Sequence, residues 1–388
     1  MVAGVVKFLR GLRLRGSHGL SGSRGGDCPR LWTVIAPLVL VALVATIAAG
    51  VERYASPEGG LQLPLANTGD KSLVVRTGGL AYPRVAVDSD GVNVRIARPV
   101  HRIVSQAWTI DECLYAVAPA RDVVAVSASA YQKLASNVLA TVQLFRPAIA
   151  ADPERVIALD PDLMIVSSNG RADYTSLARG SGVAVFRMQT MLQTLEEIEK
   201  ALTLVGYLTG NDGAAAREAT RFRSEVDAAR ALRTPEAAAR VGTPRILGLG
   251  GHYTYGSETL FQDVVTFLGG VNVAAEHGIV GYDSVDFEQI VRWDPEWIVA
   301  GADEGEMSSV REELMRDPAI SITRAAREGH ILVLDNRTFL AKSPFAAQMV
   351  REMAGALYGD GRAGPGADAR TQDLESKHSA ETQAEGRR

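Results

Sequence analysis

Two stretches of this chain carry the same pattern: ALDPDLMIVSS, from Ala158 to Ser168, and RWDPEWIVAGA, from Arg292 to Ala302. In each, a helical run ends at Asp-Pro and an unbroken apolar run follows. Proline disfavours helix in the residue before it, which stops the helix there. An apolar run without alternation is the mark of a strand covered on both faces in a parallel sheet. The flanks repeat too. HRIVSQ and DVVAVS lie before the first copy and GVAVFRM after it, while PRILGLGG lies before the second copy and EGHILVLD after it. Strands alternating with helices in this order give an α/β fold, here one unit used twice.

Between the two units lies MLQTLEEIEKALTLVGYL, with Leu195, Ile198, Leu202 and Val205 at helical spacing. It predicts a long backbone helix, punctuated by TGNDG and followed by a surface helix. The expected fold is therefore α/β, with two Rossmann-like lobes of parallel sheet joined by a single long backbone helix. Ligands in open α/β sheets sit outside the carboxyl ends of the strands, so a ligand cleft is expected where the two lobes face each other.

The segments before and after this region divide cleanly. Residues 1–30 form a basic, cytoplasmic N-region with Lys7, Arg10, Arg13, Arg15, Arg24 and Arg30. Leu31–Val51 has no charged residue and is long enough to span a bilayer. Positive charge stays on the cytoplasmic side, so the rest of the chain is exported, and the helix is a signal anchor or a signal peptide. Residues 52–84 read as a linker, 85–190 as the N-terminal lobe, 191–241 as the interlobe helical backbone and 242–358 as the C-terminal lobe. Residues 359–388 have almost no large apolar side chains and read as a disordered tail. VAVDSDGVNVRI, with a turn at Asp90-Gly91, predicts a hairpin. The net charge is -4, and nothing in the sequence suggests the clustered basic face that a nucleic-acid partner would need, so none is expected. Cys28 and Cys113 are too few for a disulfide framework or a Cys-x-x-Cys metal site and read as inert thiols.

With these residues in view, HRIVS, TIDECLYAVAPARDVVAVS, PERVIALDPDLMIVSS, the central helix and FEQIVRWDPEWIVAG together resemble the substrate-binding proteins of ABC importers, in the branch that takes up ferric siderophores, haem or cobalamin. The likeness covers about Val85 to Tyr358. It implies two lobes on a rigid helical backbone, a monomer without catalysis or an intrinsic cofactor, and an iron chelate, haem or corrinoid held between the lobes. It also implies an ABC permease and its ATPase as partners, with one glutamate per lobe for docking. Those positions are Glu154 and Glu288, each seven residues before the proline of its repeat. The expected location is periplasmic or extracytoplasmic, at the membrane through Leu31–Val51.

The strand exits supply the ligand-facing candidates: Trp108, Tyr131, Arg171, Met188, His252, Tyr253, Tyr255, Tyr282, Arg337 and Phe339, with Arg187 as a further cation. Broad rings with forked guanidiniums suit a large, partly anionic ligand. His252 or a tyrosine would be the axial ligand if the guest is haem. Other readings stand beside this one. A membrane-tethered sensor or adaptor could use the same fold, a zinc or manganese receptor would need several converging histidines and carboxylates, and an enzyme would need a nucleophile and base within reach. No metal-ligand set is read from the sequence. The glycines of GLGGHYTYG lack phosphate-loop spacing and read as backbone room at a cleft. Trp293 and Trp297 read as packing residues, and Asp160, Asp162, Asp294 and Glu296 as turn and strand-start residues. Thr109 and Glu112 have the spacing of a helix capping box, and Ser343 reads as the cap of the closing helix.

Overall fold

The computed structural model describes residues 76–143, 153–170, 172–339 and 341–359, all within one compact unit. Three of the expectations above, the N-region, the Leu31–Val51 span and the tail beyond Gly359, lie outside the described residues, as does Arg171. Among the described residues no helix is long and apolar enough to cross a membrane.

The hairpin forms where alternation predicts it. Strands β1 (Arg76–Thr77), β2 (Arg84–Val87) and β3 (Asn93–Ile96) make an antiparallel sheet. Its turn has Gly91 at φ 78°, and the Asp88 carboxylate accepts from the backbone N–H groups of Asp90 and Val92 at 2.9 Å each. Arg84 fastens the hairpin to the interlobe helices through Asp212, at 2.7 and 3.0 Å.

The N-terminal lobe is a parallel sheet in the order β5 (Val123–Ala125), β4 (Ile103–Ser105), β6 (Leu163–Ser167), β7 (Ala184–Met188). Helix α1 (Trp108–Val117) follows β4, α2 (Pro153–Ile157) leads into β6, and α3 (Ala172–Gly180) connects β6 to β7. The C-terminal lobe repeats this core with β8 (Arg245–Gly250), β12 (Trp297–Ala302) and β13 (Ile331–Asp335) in parallel. It departs from the expected all-parallel sheet at one edge. There β9 (Tyr253–Tyr255) and β11 (Tyr282–Ser284) run antiparallel, while the short β10 (Val271–Asn272) pairs in parallel with β8. The tight turn at Gly251, φ 63°, is what sends β9 back along β8.

The duplicated motif occupies equivalent places. β6 lies between β4 and β7, and β12 lies between β8 and β13, each parallel to both neighbours. The preceding aspartates, Asp160 and Asp294, both have left-handed backbone, at φ 49° and 42°, a conformation a short polar side chain tolerates. One arginine clamps each turn. Arg102 donates to the carbonyls of Leu159 and Asp160, and Arg245 donates to those of Trp293 and Asp294 at 3.0 and 3.1 Å. The backbone N–H groups of Asp162 and Glu296 then donate to the carbonyls of the same two arginines, Arg102 and Arg245, at 2.9 Å each. These acids are turn and strand-start residues.

Helix α4 (Leu195–Thr209) starts at Thr194, whose hydroxyl accepts from the Glu197 N–H, and ends at Gly210 in the left-handed region, φ 77°. Where a single rod is expected to join the lobes, the chain doubles back. Helix α5 (Asp212–Ala231) packs along α4, and α6 (Pro235–Val241) completes the crossing. A Cβ on Gly206 would fall 2.2 Å from that of Ala215, so glycine permits the close approach. As expected, α5 is a surface helix, and the face it buries carries Phe222, Val226 and Ala229. Helix α4 packs on α1 and on α7 (Leu260–Phe267), while α5 packs on α1 and on the closing helix α10 (Ala346–Tyr358). The elements α8 (Phe287–Trp293) and α9 (Met307–Arg316) flank β12. One apolar core thus runs from the N-terminal lobe through the helical pair into the C-terminal lobe.

Candidate functional site

The β9–β11 pair carries three of the six predicted aromatics, Tyr253, Tyr255 and Tyr282. Side chains two apart on a strand share a face, and directly opposed residues on antiparallel neighbours point the same way. Tyr253 and Tyr255 therefore line one face of β9, and Tyr282 lies opposite Tyr255 on β11. Phe339, just after β13, closes the group. The Tyr255 ring is 5.5 Å from that of Tyr282 and 5.3 Å from that of Phe339, both edge-on, and 5.7 Å from Phe261. Edge-to-face packing is the favoured geometry for such rings.

The glycine-rich strand is the seat for this cluster. A Cβ on Gly248 would meet Phe261 at 2.8 Å and Tyr255 at 2.9 Å, and one on Gly250 would meet the Tyr255 hydroxyl at 2.2 Å. Gly301 on β12 does the same for Phe339, at 2.7 Å. The glycines of GLGG make room for rings at the strand exit, the role expected of them. The cluster encloses a hollow of 30 Å³ lined by Tyr255, Tyr282, Phe339 and Lys342 among others. Tyr255 and Phe339 are 8% and 6% exposed, so they form the wall of this hollow and not an open face. Burial pushes the Tyr255 hydroxyl well above the usual phenol range, and Tyr282 adds to that. Tyr253, at 43% exposure, and His252 lie at the outer turn.

The N-terminal lobe contributes Trp108, at the first position of α1. Its indole N–H donates to Glu112 Oε1 at 2.6 Å. This corrects the capping-box expectation. Thr109 lies inside the helix with its hydroxyl donating to the Thr190 carbonyl, and the N-cap is Ala107. Glu112 instead turns inward, fully buried, and ties the lobes together. Oε1 also accepts from the Asn137 backbone and side-chain N–H groups at 3.2 and 2.8 Å, and Oε2 accepts from Ser343 Oγ of the C-terminal lobe at 2.5 Å. The Asn137 amide reaches across as well, donating to the Arg337 carbonyl at 2.7 Å. Ser343 is therefore a lobe-to-lobe contact, and the N-cap of the closing helix is Phe345. Burial raises the Glu112 carboxyl to about 7, with the four donors pulling the other way. The adjacent Asp111, also fully buried and bonded to Ser127, is likewise raised to about 7 by burial.

Other predicted site residues have other occupations. Met188 is 0% exposed and belongs to the core, so it presents no surface to a ligand. Tyr131 is half-buried against the core, its hydroxyl donating to the Val142 carbonyl at 3.4 Å. The expected fixed cations are committed internally. Arg187 pairs with Asp90 at 3.1 Å. Arg337 forks onto Asp335, at 2.6 to 3.1 Å, and reaches Glu304 at 3.4 Å. The histidines do not converge: His101 lies 3.5 Å from Asp122, His277 stacks on Trp293, and His330 stacks on Trp297. Among the described residues no three metal-ligating side chains form a cluster.

Glu154 and Glu288 are both exposed in the first turns of α2 and α8, equivalent helices of the two lobes. Asp286 and Gln289 form the capping box of α8, which leaves Glu288 without a capping role.

Comparison with known proteins fits this geometry. Residues 103–338 match a family model described as periplasmic binding protein. The vitamin B12-binding protein of Pectobacterium carotovorum subsp. carotovorum (strain PC1) is 24% identical over 210 residues, covering 54% of this chain and 74% of that protein. Among solved structures, the periplasmic heme-binding protein RhuT from Roseiflexus sp. RS-1, in apo form, has a TM-score of 0.54 at 24% identity, covering 67% of this chain and 98% of that one. A periplasmic heme-binding protein from Pseudomonas aeruginosa has a TM-score of 0.56 at 22% identity, covering 68% and 94%. At such identities the structural likeness establishes the shared fold.

Proposed function

This chain belongs to the periplasmic binding protein family, and we propose that within it the protein is the extracytoplasmic solute-binding component of an ABC importer, carrying a ring-bearing metal complex to a membrane permease. The family is non-enzymatic, and what it holds is cargo, not a resident cofactor. The observation that carries the ligand class is the row of Tyr253, Tyr255 and Tyr282 with Phe339, at the strand exits of the C-terminal lobe. Exposed Tyr253 and half-buried Tyr282, backed by the buried rings of Tyr255 and Phe339, offer flat faces with polar edges that suit haem, a corrinoid or a ferric siderophore, and the relatives named above include proteins that bind heme and vitamin B12. The 30 Å³ hollow receives one edge of such a ligand and not the whole of it, since pockets for drug-sized molecules run to about 300–1,000 Å³.

The permease contacts are assigned to Glu154 and Glu288, one per lobe. Charge pairs of this kind steer encounter and fix register more than they add affinity.

Titrating the purified chain with haemin, cyanocobalamin and ferric siderophores tests the ligand class. Saturable quenching of tryptophan fluorescence by one of them is expected, and silence with all three refutes it. Among the described tryptophans Trp108 is the expected reporter, since Trp293 and Trp297 are held in stacks on His277 and His330.

A further inference from the structure

We propose that Lys342 is the residue that selects the acidic edge of the ligand, so that the site prefers a carboxylate-bearing ring system over one fringed only by amides or esters. This rests on the solute-binding role above and makes its chemistry specific.

Of the cations expected at the site, Arg187 and Arg337 are both spent on carboxylates of the protein, and Arg171 lies outside the described residues. Lys342 is placed differently. It lines the same hollow as Tyr255, Tyr282 and Phe339. The next residue, Ser343, donates to Glu112 of the opposite lobe, which puts Lys342 at the lobe junction. Its ammonium stands 5.3 Å from the centre of the Tyr282 ring, and the residue is half-buried and joins none of the ion pairs among the described residues. A cation–π contact holds the ammonium only weakly at such a partly exposed position. A ligand carboxylate arriving beside Tyr282 would supply the missing partner, while the ring that carries it would lie along the tyrosine row. The flexible lysine stem lets the ammonium leave the Tyr282 face and meet the incoming oxygen. An amide or ester edge gains no comparable interaction.

The test compares acid and neutral forms of one scaffold: haemin against haemin dimethyl ester, and cyanocobalamin monocarboxylic acid against cyanocobalamin, with the full-length chain and its K342Q and K342R variants. Binding is read by absorbance and tryptophan quenching, and folding by thermal unfolding. For whichever scaffold binds, the wild type should favour the acid form about tenfold, the size expected of one charge-assisted hydrogen bond. In K342Q the acid-to-neutral ratio should collapse towards one, and K342R should retain most of it. Equal binding of both forms by the wild type, or a preference that survives in folded K342Q, overturns the assignment of Lys342 and leaves the solute-binding role standing. Failure of every form to bind the wild type overturns both.

Discussion

Replacing Glu112 with glutamine should stabilise the protein above neutral pH and leave it nearly unchanged in mild acid. The carboxylate is fully buried between the lobes, and burial lifts it from an ordinary 4.5 to about 7. From about pH 4.5 to 7 the folded protein therefore keeps a proton that the unfolded chain has released. Stability rises with pH only where the unfolded state binds more protons, so here it falls. The contribution is fully present below the ordinary carboxylate range and is lost as pH climbs through 7. Each pH unit of that displacement is worth about 1.4 kcal/mol, which puts the whole effect of Glu112 on the order of 3 kcal/mol. Asp111 adds in the same direction. Glutamine copies the protonated form: its carbonyl can accept from Trp108 and Asn137 as Oε1 does, and its amide can donate to Ser343 Oγ. Thermal unfolding of wild type and E112Q between pH 5 and pH 8.5 reads this directly. The two melting curves should diverge as pH rises, with E112Q higher by several degrees at pH 8.5. If E112Q is instead the less stable protein at pH 8.5, the carboxylate is ionised and supported by its four donors, and the assignment of burial as the dominant effect is wrong.

Three further outcomes follow from the geometry. Gly206→Ala should cost about 1–3 kcal/mol in chemical denaturation, because the added methyl collides with Ala215 and separates α4 from α5; an unchanged midpoint would mean the helices can part freely. Arg245→Ala should cost roughly 2–3 kcal/mol by leaving the Trp293 and Asp294 carbonyls without their donor, and Arg245→Lys should restore only part of it, since one ammonium can donate to both carbonyls as Nη1 does but loses the bonds that Nε and Nη2 make to Glu276. Reversing charge at Glu154 and Glu288 together should reduce stimulation of the importer's ATPase by at least tenfold while solute affinity stays within twofold, and a double variant that stimulates normally refutes the docking assignment.

The duplicated architecture was legible because it rests on local chemistry. Asp-Pro ends a helix wherever it occurs, and LMIVS and WIVAG can only be buried strands. The aromatic positions Tyr253, Tyr255, Tyr282 and Phe339 were legible as strand exits. Other features depend on which distant residues meet. Glu112 has the spacing of a cap to Thr109, and nothing local says that it turns inward to a serine far along the chain. Its place in the buried stripe of α1, beside Cys113 and Leu114, is the one hint. Arg187 and Arg337 read as free cations because Asp90 and Glu304 become their neighbours only in the fold, although Asp335, two residues from Arg337, was a local warning. Arg102 and Arg245, which clamp the two turns, open RIV and RIL and were visible as a further part of the repeat. Lys342 carries no signal in the sequence; its setting beside Tyr282 is tertiary.

Scaffold and site divide along the line where the repeat fails. β4, β6 and β7 have counterparts in β8, β12 and β13, and the arginine-clamped aspartate turns match in both lobes. These parts fix the two cores, and their side chains are spent on packing and on backbone groups. At the sheet edge the lobes differ. The N-terminal lobe adds the parallel strand β5, buried throughout, whereas the C-terminal lobe adds the antiparallel β9–β11 pair. An antiparallel edge can keep one face on the core and the other towards solvent, and at the start of β9 Tyr253 is exposed while Thr254 and Tyr255 are buried. Side chains on this edge can change without disturbing the Asp-Pro turns or the strands they feed. On the proposed assignment, ligand choice varies with the side chains of β9, β11 and Phe339, while the duplicated units hold the cores of the two lobes in place.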